Sequence, residues 1–149
     1  MFKKLLLPLD FTDKHQSVLD AAAELAQQNG GDVTVLHVIE VIPGLSVEEE
    51  RRFFNHLERS AERHLQNHVK ALTERRIPSQ QKVLIGNRAY GIVAFATEIG
   101  ADLILLTAPW FDPEKPTTGW GSLSYKVGVL SRCPVLLVKR RRDHTSAGN

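Results

Sequence analysis

Short apolar runs without alternation recur along the chain, and amphipathic stretches at helical spacing separate them. Leu5 to Leu9 form the first run, which is how a strand covered on both faces reads, and Asp10 closes it. Thr12 or Asp13 is placed to cap a helix whose positions Val18, Leu19, Ala22, Leu25 and Ala26 share one face, and Gly30-Gly31 stop it. Val33 to Ile39 form a second buried strand with His37 near its end, and Pro43-Gly44 break the chain after it. Ser46 with Glu49 makes a capping box, after which Phe54, Leu57, Ala61, Leu65, Val69 and Leu72 keep helical spacing to about Arg75. Lys82 to Ile85 predict a third strand ending at Gly86. Ala89, Ile92, Val93, Ala96 and Ile99 then mark a helix closed by Gly100, and Leu103 to Leu106 a fourth strand. Pro109, Pro113 and Pro116 make the segment from Thr107 to Thr118 a stiffened loop. Ser122 to Leu130 read as a fourth helix and Val135 to Val138 as a fifth strand.

Five short strands alternating with helices predict a single-domain α/β protein, Rossmann-like, with a parallel sheet and helices on both faces. Each right-handed crossover returns the chain beside the preceding strand. Ligands of such sheets sit beyond the carboxyl ends of the strands, where the strand order reverses. If the order is 3-2-1-4-5, which the family resemblance described below implies, that crevice lies between the first and fourth strands and sets Asp10 opposite the loop that ends at Gly121-Ser122.

Composition narrows the class. At 149 residues and 42% hydrophobic content, one domain can bury a sizeable core without staples. The net charge of +2 is small, and the run Lys139 to Arg142 supplies much of it, so nucleic acid is not implied. Residues 140–149 are polar and basic and are expected to form a disordered, solvated tail. The single cysteine, Cys133, excludes an internal disulfide framework, suits a reducing compartment and reads as buried and inert. No stretch is long and apolar enough for membrane insertion, and the apolar run before Asp10 is too short for a signal peptide, which points to a cytoplasmic protein.

Several pieces, taken in order, carry a family likeness: Leu6-Leu7-Pro8-Leu9-Asp10, Val35-Leu36-His37-Val38, Ile85-Gly86, Ala101-Asp102-Leu103-Ile104, Gly121-Ser122-Leu123-Ser124 and Cys133-Pro134-Val135-Leu136. Their order and spacing over residues 1–139 resemble the universal stress protein (UspA) family, whose domains have an adenine nucleotide alpha hydrolase-like fold. The resemblance implies a nucleotide site of Pro8, Leu9, Asp10, Val38, Thr107, Ala108, Gly121, Ser122 and Leu123. Within it, Pro8, Leu9 and Val38 line the adenine slot and Asp10 lies near the ribose. It implies ATP or AMP as ligand, with Mg only if a triphosphate binds. It further implies a homodimer paired through Val135 to Val138, and a regulatory protein rather than an enzyme, slow ATP hydrolysis being left open. Nucleotide-binding members carry Gly-x2-Gly-x9-Gly-(Ser/Thr) after strand four, and this chain keeps only its end. Counting back from Gly121 puts Ala108 and Phe111 at the missing glycines, whereas aligning on the strand puts Thr107 and Trp110 there. A large side chain at either place occupies volume that phosphate would use and strains a backbone suited to glycine.

Plainer roles compete for several of these residues. Gly121-Ser122 at a helix start suits an anion, yet Ser122 can simply cap the helix, and Asp10 can cap the first helix. His64 and His68 have chelating spacing, but no third ligand is evident and a solvated helix face is the better reading. Ser17, Ser122 and Ser124 lack a nucleophile elbow. Trp110, Phe111 and Trp120 read as a plug in the vacated phosphate site or as an aromatic patch for a partner. Two functions follow: a stress-response module that senses an adenine nucleotide, and a non-ATP-binding interaction protein whose altered loop contacts a partner.

Overall fold

β1 (Lys4–Pro8) runs through the middle of the molecule with its three leucines fully buried. The computed structural model describes residues 1–41, 43–46, 48–109, 114 and 122–140. Around β1 lie α1 (Gln16–Asn29), β2 (Asp32–Glu40), α2 (Arg51–Glu74), β3 (Ser79–Gly86), α3 (Arg88–Ile99), β4 (Leu103–Thr107), α4 (Leu123–Leu130) and β5 (Val135–Val138). The strands form one five-stranded sheet in the order β3-β2-β1-β4-β5, parallel at every pairing, as the sequence predicts.

Strand side chains alternate between faces, so each buried strand feeds two cores. Leu5, Leu7, Val33, Val35, Leu103 and Leu105 pack under α1 and α2, where Val18, Ala22, Leu65 and Leu72 complete one core. Leu6, Leu36, Val38, Ile104 and Leu106 face the other way, onto Ile92, Phe95, Ala96 and Val127 of α3 and α4. This double coverage is why the strands read as unbroken apolar runs.

The glycine stops behave as expected: Gly30 and Gly100 end α1 and α3 in the left-handed conformation, at φ 64° and 68°. Gly31 has a different reason, because a Cβ there would lie 2.6 Å from the Lys3 carbonyl oxygen. That close approach lets the Asp32 N–H donate to the same oxygen at 2.8 Å and starts the β1–β2 register. The chain start is tied down a second time. Asp102 accepts from the N–H groups of Lys3 and Lys4 at 2.9 and 3.0 Å, and these bonds outweigh burial to hold its carboxyl below the ordinary range.

Some local expectations are corrected. Neither Thr12 nor Asp13 caps α1: a 3-10 turn over Asp13–His15 precedes it, and the Thr12 hydroxyl donates to the nearby Asp10 carboxylate instead. Ser46 does accept from the Glu49 N–H at 3.4 Å, but this bond closes a separate turn and the helix proper starts at Arg51. β3 extends back to Ser79, because β2 offers partners along its whole length despite the polar residues at that end. Asn87, passed over in the sequence, caps α3 by accepting from the Tyr90 N–H at 3.1 Å. Cys133 is half-buried rather than buried, since it sits in the turn before β5 beside the Ser131 hydroxyl.

Candidate functional site

β1 and β4 are neighbours whose following segments leave in opposite directions along the sheet, which opens a crevice at their carboxyl ends. A cleft of about 300 Å³ occupies it, at the small end of the range for small-molecule sites. Eight of the nine residues expected from the sequence line it: Pro8, Leu9, Asp10, Val38, Thr107, Ala108, Ser122 and Leu123. The ninth, Gly121, lies outside the described residues, as do Trp110, Phe111 and Trp120 with the expected plug, and residues 141–149 of the expected tail.

One end of the cleft is apolar. Pro8, Leu9, Leu36, Val38 and Ile92 form its walls. The Leu9 N–H donates to the Leu36 carbonyl at 2.8 Å, and this is the last bond β1 makes to β2. By the two-residue period, the peptide groups of Val38 point to the same side, just past the point where β1 has left the sheet. That position suits edge-on recognition of a flat heterocycle.

The other end is polar, with Lys14 and Arg140 beside Asp10, the one carboxylate of the lining among the described residues. Arg88, one turn before Ile92 on α3, lines the β2 side and pairs through Nε with Glu40 Oε1 at 3.8 Å. Ser122 stands at the N-cap of α4, yet its side chain makes no capping bond, so the plainer role considered for it is not the one it fills. Asp10 does not cap α1 either. Its Oδ1 accepts from the Thr12 N–H and hydroxyl at 3.0 and 2.5 Å and lies 2.7 Å from His15 Nε2, while Oδ2 pairs with Lys14 Nζ at 3.1 Å. Partial burial works to raise the Asp10 carboxyl, but the bonds from Thr12, His15 and Lys14 prevail and hold it far below the ordinary carboxylate range. Behind it, His15 Nδ1 lies 2.7 Å from Thr107 Oγ1, so one imidazole bridges the ends of β1 and β4. Ala108 is committed elsewhere, its N–H donating to the Val138 carbonyl at 2.8 Å.

Lys14, His15 and Arg88 were not picked out from the sequence. The four-residue spacing of Asp10 and Lys14 was a usable signal for their ion pair. Nothing in the sequence joins His15 to a threonine 92 positions away.

A second histidine group flanks the cleft. Phe11 stacks between His37 of β2 and His64 of α2, with ring centroids 4.0 and 4.5 Å apart, and His37 Nδ1 donates to the Leu9 carbonyl at 2.7 Å. Among the described residues no group of three or more His, Cys, Asp or Glu is arranged to hold a metal ion. His64 has the Phe11 ring as its neighbour instead. Burial is the main cause that makes both His37 and His68 less basic than usual, with the positive charge of Arg88 adding to it at His37 and the neighbouring imidazoles of His15 and His64 at His68. Protons therefore favour the unfolded chain at these two sites. Their stabilisation is complete above the ordinary histidine value of 6.5 and is lost as pH falls below it. Urea midpoints are expected to drop between pH 7.5 and 5.5, and less so in His37→Gln; equal midpoints for the wild type would contradict this.

Comparison with known proteins bears on the whole chain. The model of the universal stress protein family matches residues 1–139. Universal stress protein G of Shigella flexneri is 30% identical over 146 residues, covering 93% of this chain and all of that protein. Among solved structures, the protein MJ0577 superposes with a TM-score of 0.76 at 25% identity, over 96% of this chain and all of that one. A universal stress protein of Archaeoglobus fulgidus in complex with dAMP gives 0.68 at 22% identity, over 93% of this chain and all of that one. A universal stress protein in complex with cAMP gives 0.63 at 17%, over 94% and 98%. No helix among the described residues is long and apolar enough to cross a membrane. With the expected sheet order present and a family match spanning nearly the full length, the chain belongs to the universal stress protein family.

Proposed function

We propose that this protein is a cytoplasmic regulatory module of the stress response that binds an adenine nucleotide carrying a compact phosphate group, AMP rather than ATP. One observation carries this: an apolar slot walled by Leu9 and Val38, with the Glu40-paired Arg88 at its rim, runs into an end lined by Lys14 and Arg140 beside the Ser122 N-cap. Base and phosphate thus each meet suitable chemistry within one small cleft. Relatives of the same fold in complex with dAMP and cAMP support the ligand class. The Ala108 N–H, which a phosphate wrap at that position would use, is taken by Val138. Mg would enter only with a triphosphate, and the role is non-enzymatic. Native mass spectrometry of the purified protein tests the reading. An adenine monophosphate retained by the folded protein supports it, and a protein free of ligand that also takes up no added AMP contradicts it.

The two edges of the sheet differ in a way that favours self-association. β3 offers Ser79, Gln80, Gln81 and Lys82 along one edge, whereas β5 is entirely apolar, with Leu136 and Leu137 about two-fifths exposed. An unpaired apolar edge strand is a ready template for a second copy. Pairing through Val135 to Val138 is expected to make the protein a homodimer, and sedimentation velocity at micromolar concentration should show one. The pair of substitutions Leu136→Lys and Leu137→Lys should shift it to monomer; a wild-type monomer would refute the pairing.

A further inference from the structure

His15 is buried at 8% exposure at the floor of the cleft and is bonded through both ring nitrogens. Its protonation pattern follows from its partners. An ionised carboxylate can only accept, so at 2.7 Å from Asp10 Oδ1 the Nε2 atom must carry a hydrogen. A competing geometry exists, since the Asp10 N–H lies 3.3 Å from the same Nε2 and could donate to it. The shorter, charge-assisted contact wins, because the alternative would hold a lone pair against a carboxylate at 2.7 Å. In the neutral ring Nδ1 is then bare and accepts from the Thr107 hydroxyl at 2.7 Å. Thr107 also lines the cleft, and in this state it turns only oxygen lone pairs toward a ligand.

Adding one proton reverses that sense. A proton taken from the buffer binds Nδ1, Nδ1–H donates to Thr107 Oγ1, and the hydroxyl hydrogen of Thr107 is released to point into the cleft. Besides these hydrogen bonds, the one bond formed is Nδ1–H and the one broken is the bond to hydrogen in the buffer acid, and the ring gains one positive charge. We propose that His15 is a proton-operated selector: its protonation turns Thr107 from acceptor to donor, so that a phosphate-bearing ligand binds together with a proton and an uncharged nucleoside does not. This rests on the proposed nucleotide reading of the cleft. Among the described residues, the charged and titratable groups that share the cleft or its flank with the ring are Asp10 and Lys14 from its own loop, Arg88 from α3 with its partner Glu40 of β2, Arg140 after β5 and His68 from α2. Among the described residues Asp10 is the one carboxylate bonded to the ring, and it is shared with Lys14. A bound phosphate would add the second anion that a charged His15 needs.

Cyclic AMP is the probe, because its phosphodiester keeps one negative charge across the pH range used whereas the phosphate of AMP itself titrates. Calorimetric titration at pH 7 in buffers of different ionisation enthalpy should show net proton uptake for wild type, and affinity should rise from pH 8 to pH 6 by at most tenfold per unit. His15→Gln, which keeps a donor toward Asp10 but cannot charge, should bind cyclic AMP with no uptake and little pH dependence. Thr107→Val should lose more affinity at pH 6 than at pH 8. Adenosine should bind wild type without proton uptake. In the ligand-free protein, ring nitrogen chemical shifts at pH 8 should report the Nε2–H tautomer for His15. The opposite tautomer, or uptake that persists in His15→Gln, overturns the selector while leaving the nucleotide reading intact. Failure of wild type to bind cyclic AMP and AMP at either pH overturns both.

Discussion

Leu6→Ala is expected to lower the free energy of unfolding by about 2–5 kcal/mol, the range for removing a large aliphatic side chain from a packed interior. Leu6 is 0% exposed in the central strand and packs within the core that α3 and α4 cover. Its strand is hydrogen-bonded on both sides, to β2 and β4, so the backbone cannot settle into the space left behind. The loss compares with about 0–1 kcal/mol for a surface ion pair such as that of Lys4 and Asp32, which are joined at 3.1 Å near the same end of β1. Packing therefore dominates over the charges at this strand. Leu36, Val38, Ile92 and Leu106 belong to the same core and also line the cleft, so the substitution should weaken ligand binding as well. Urea denaturation at constant pH measures the change. A loss below about 1 kcal/mol with an unchanged denaturant slope would show that the core repacks around the gap.

AMP should bind at least as well as ATP, and Ser122→Ala should weaken either ligand by about 1 to 3 kcal/mol, roughly 5- to 150-fold, the magnitude for a hydrogen bond to a charged group. The Ser122 side chain makes no capping bond and sits at the start of α4, where N–H groups and the helix dipole favour an anion. Further phosphates would need desolvation and room, while the Ala108 N–H is already used. Trp110 and Phe111 lie outside the described residues. From the sequence, their replacement by glycine should improve ATP binding by restoring the freedom and space of a glycine loop. Isothermal titration of wild type and variants with both nucleotides decides the matter. Tight ATP binding unaffected by Ser122→Ala would mean the phosphate sits elsewhere. Absence of binding even with the glycines restored would favour a protein that works by contacting a partner.

The sheet and its helices were legible because each obeys a local rule. Runs such as Leu5 to Leu9 and Val33 to Ile39 lack alternation only if both faces are covered, and Gly30 and Gly100 end helices because their left-handed conformation suits no other residue as well. The rim of the cleft was partly legible in the same way, since Asp10 closes the first apolar run and Ser122 precedes a helix, whereas Thr107 came from the family resemblance. Local rules misled where a stronger partner was close in space. Thr12 reads as a helix cap, but the Asp10 carboxylate takes its hydroxyl.

Chemistry that depends on pairs distant in sequence could not be read from the chain. His15 meets Thr107 only because β1 and β4 are adjacent, and Phe11 lies between His37 and His64 only because the loop after β1 folds under α2. Arg88 enters the cleft because β3 and β2 carry the start of α3 to the same rim. The sequence by itself determined the elements, their order and the end of the sheet where a ligand belongs, since burial and backbone conformation act within a few residues. The tertiary structure decided which side chains share a proton, an ion pair or a ring face there. Those contacts form across a few ångströms between residues tens of positions apart, and only the packed sheet brings them together.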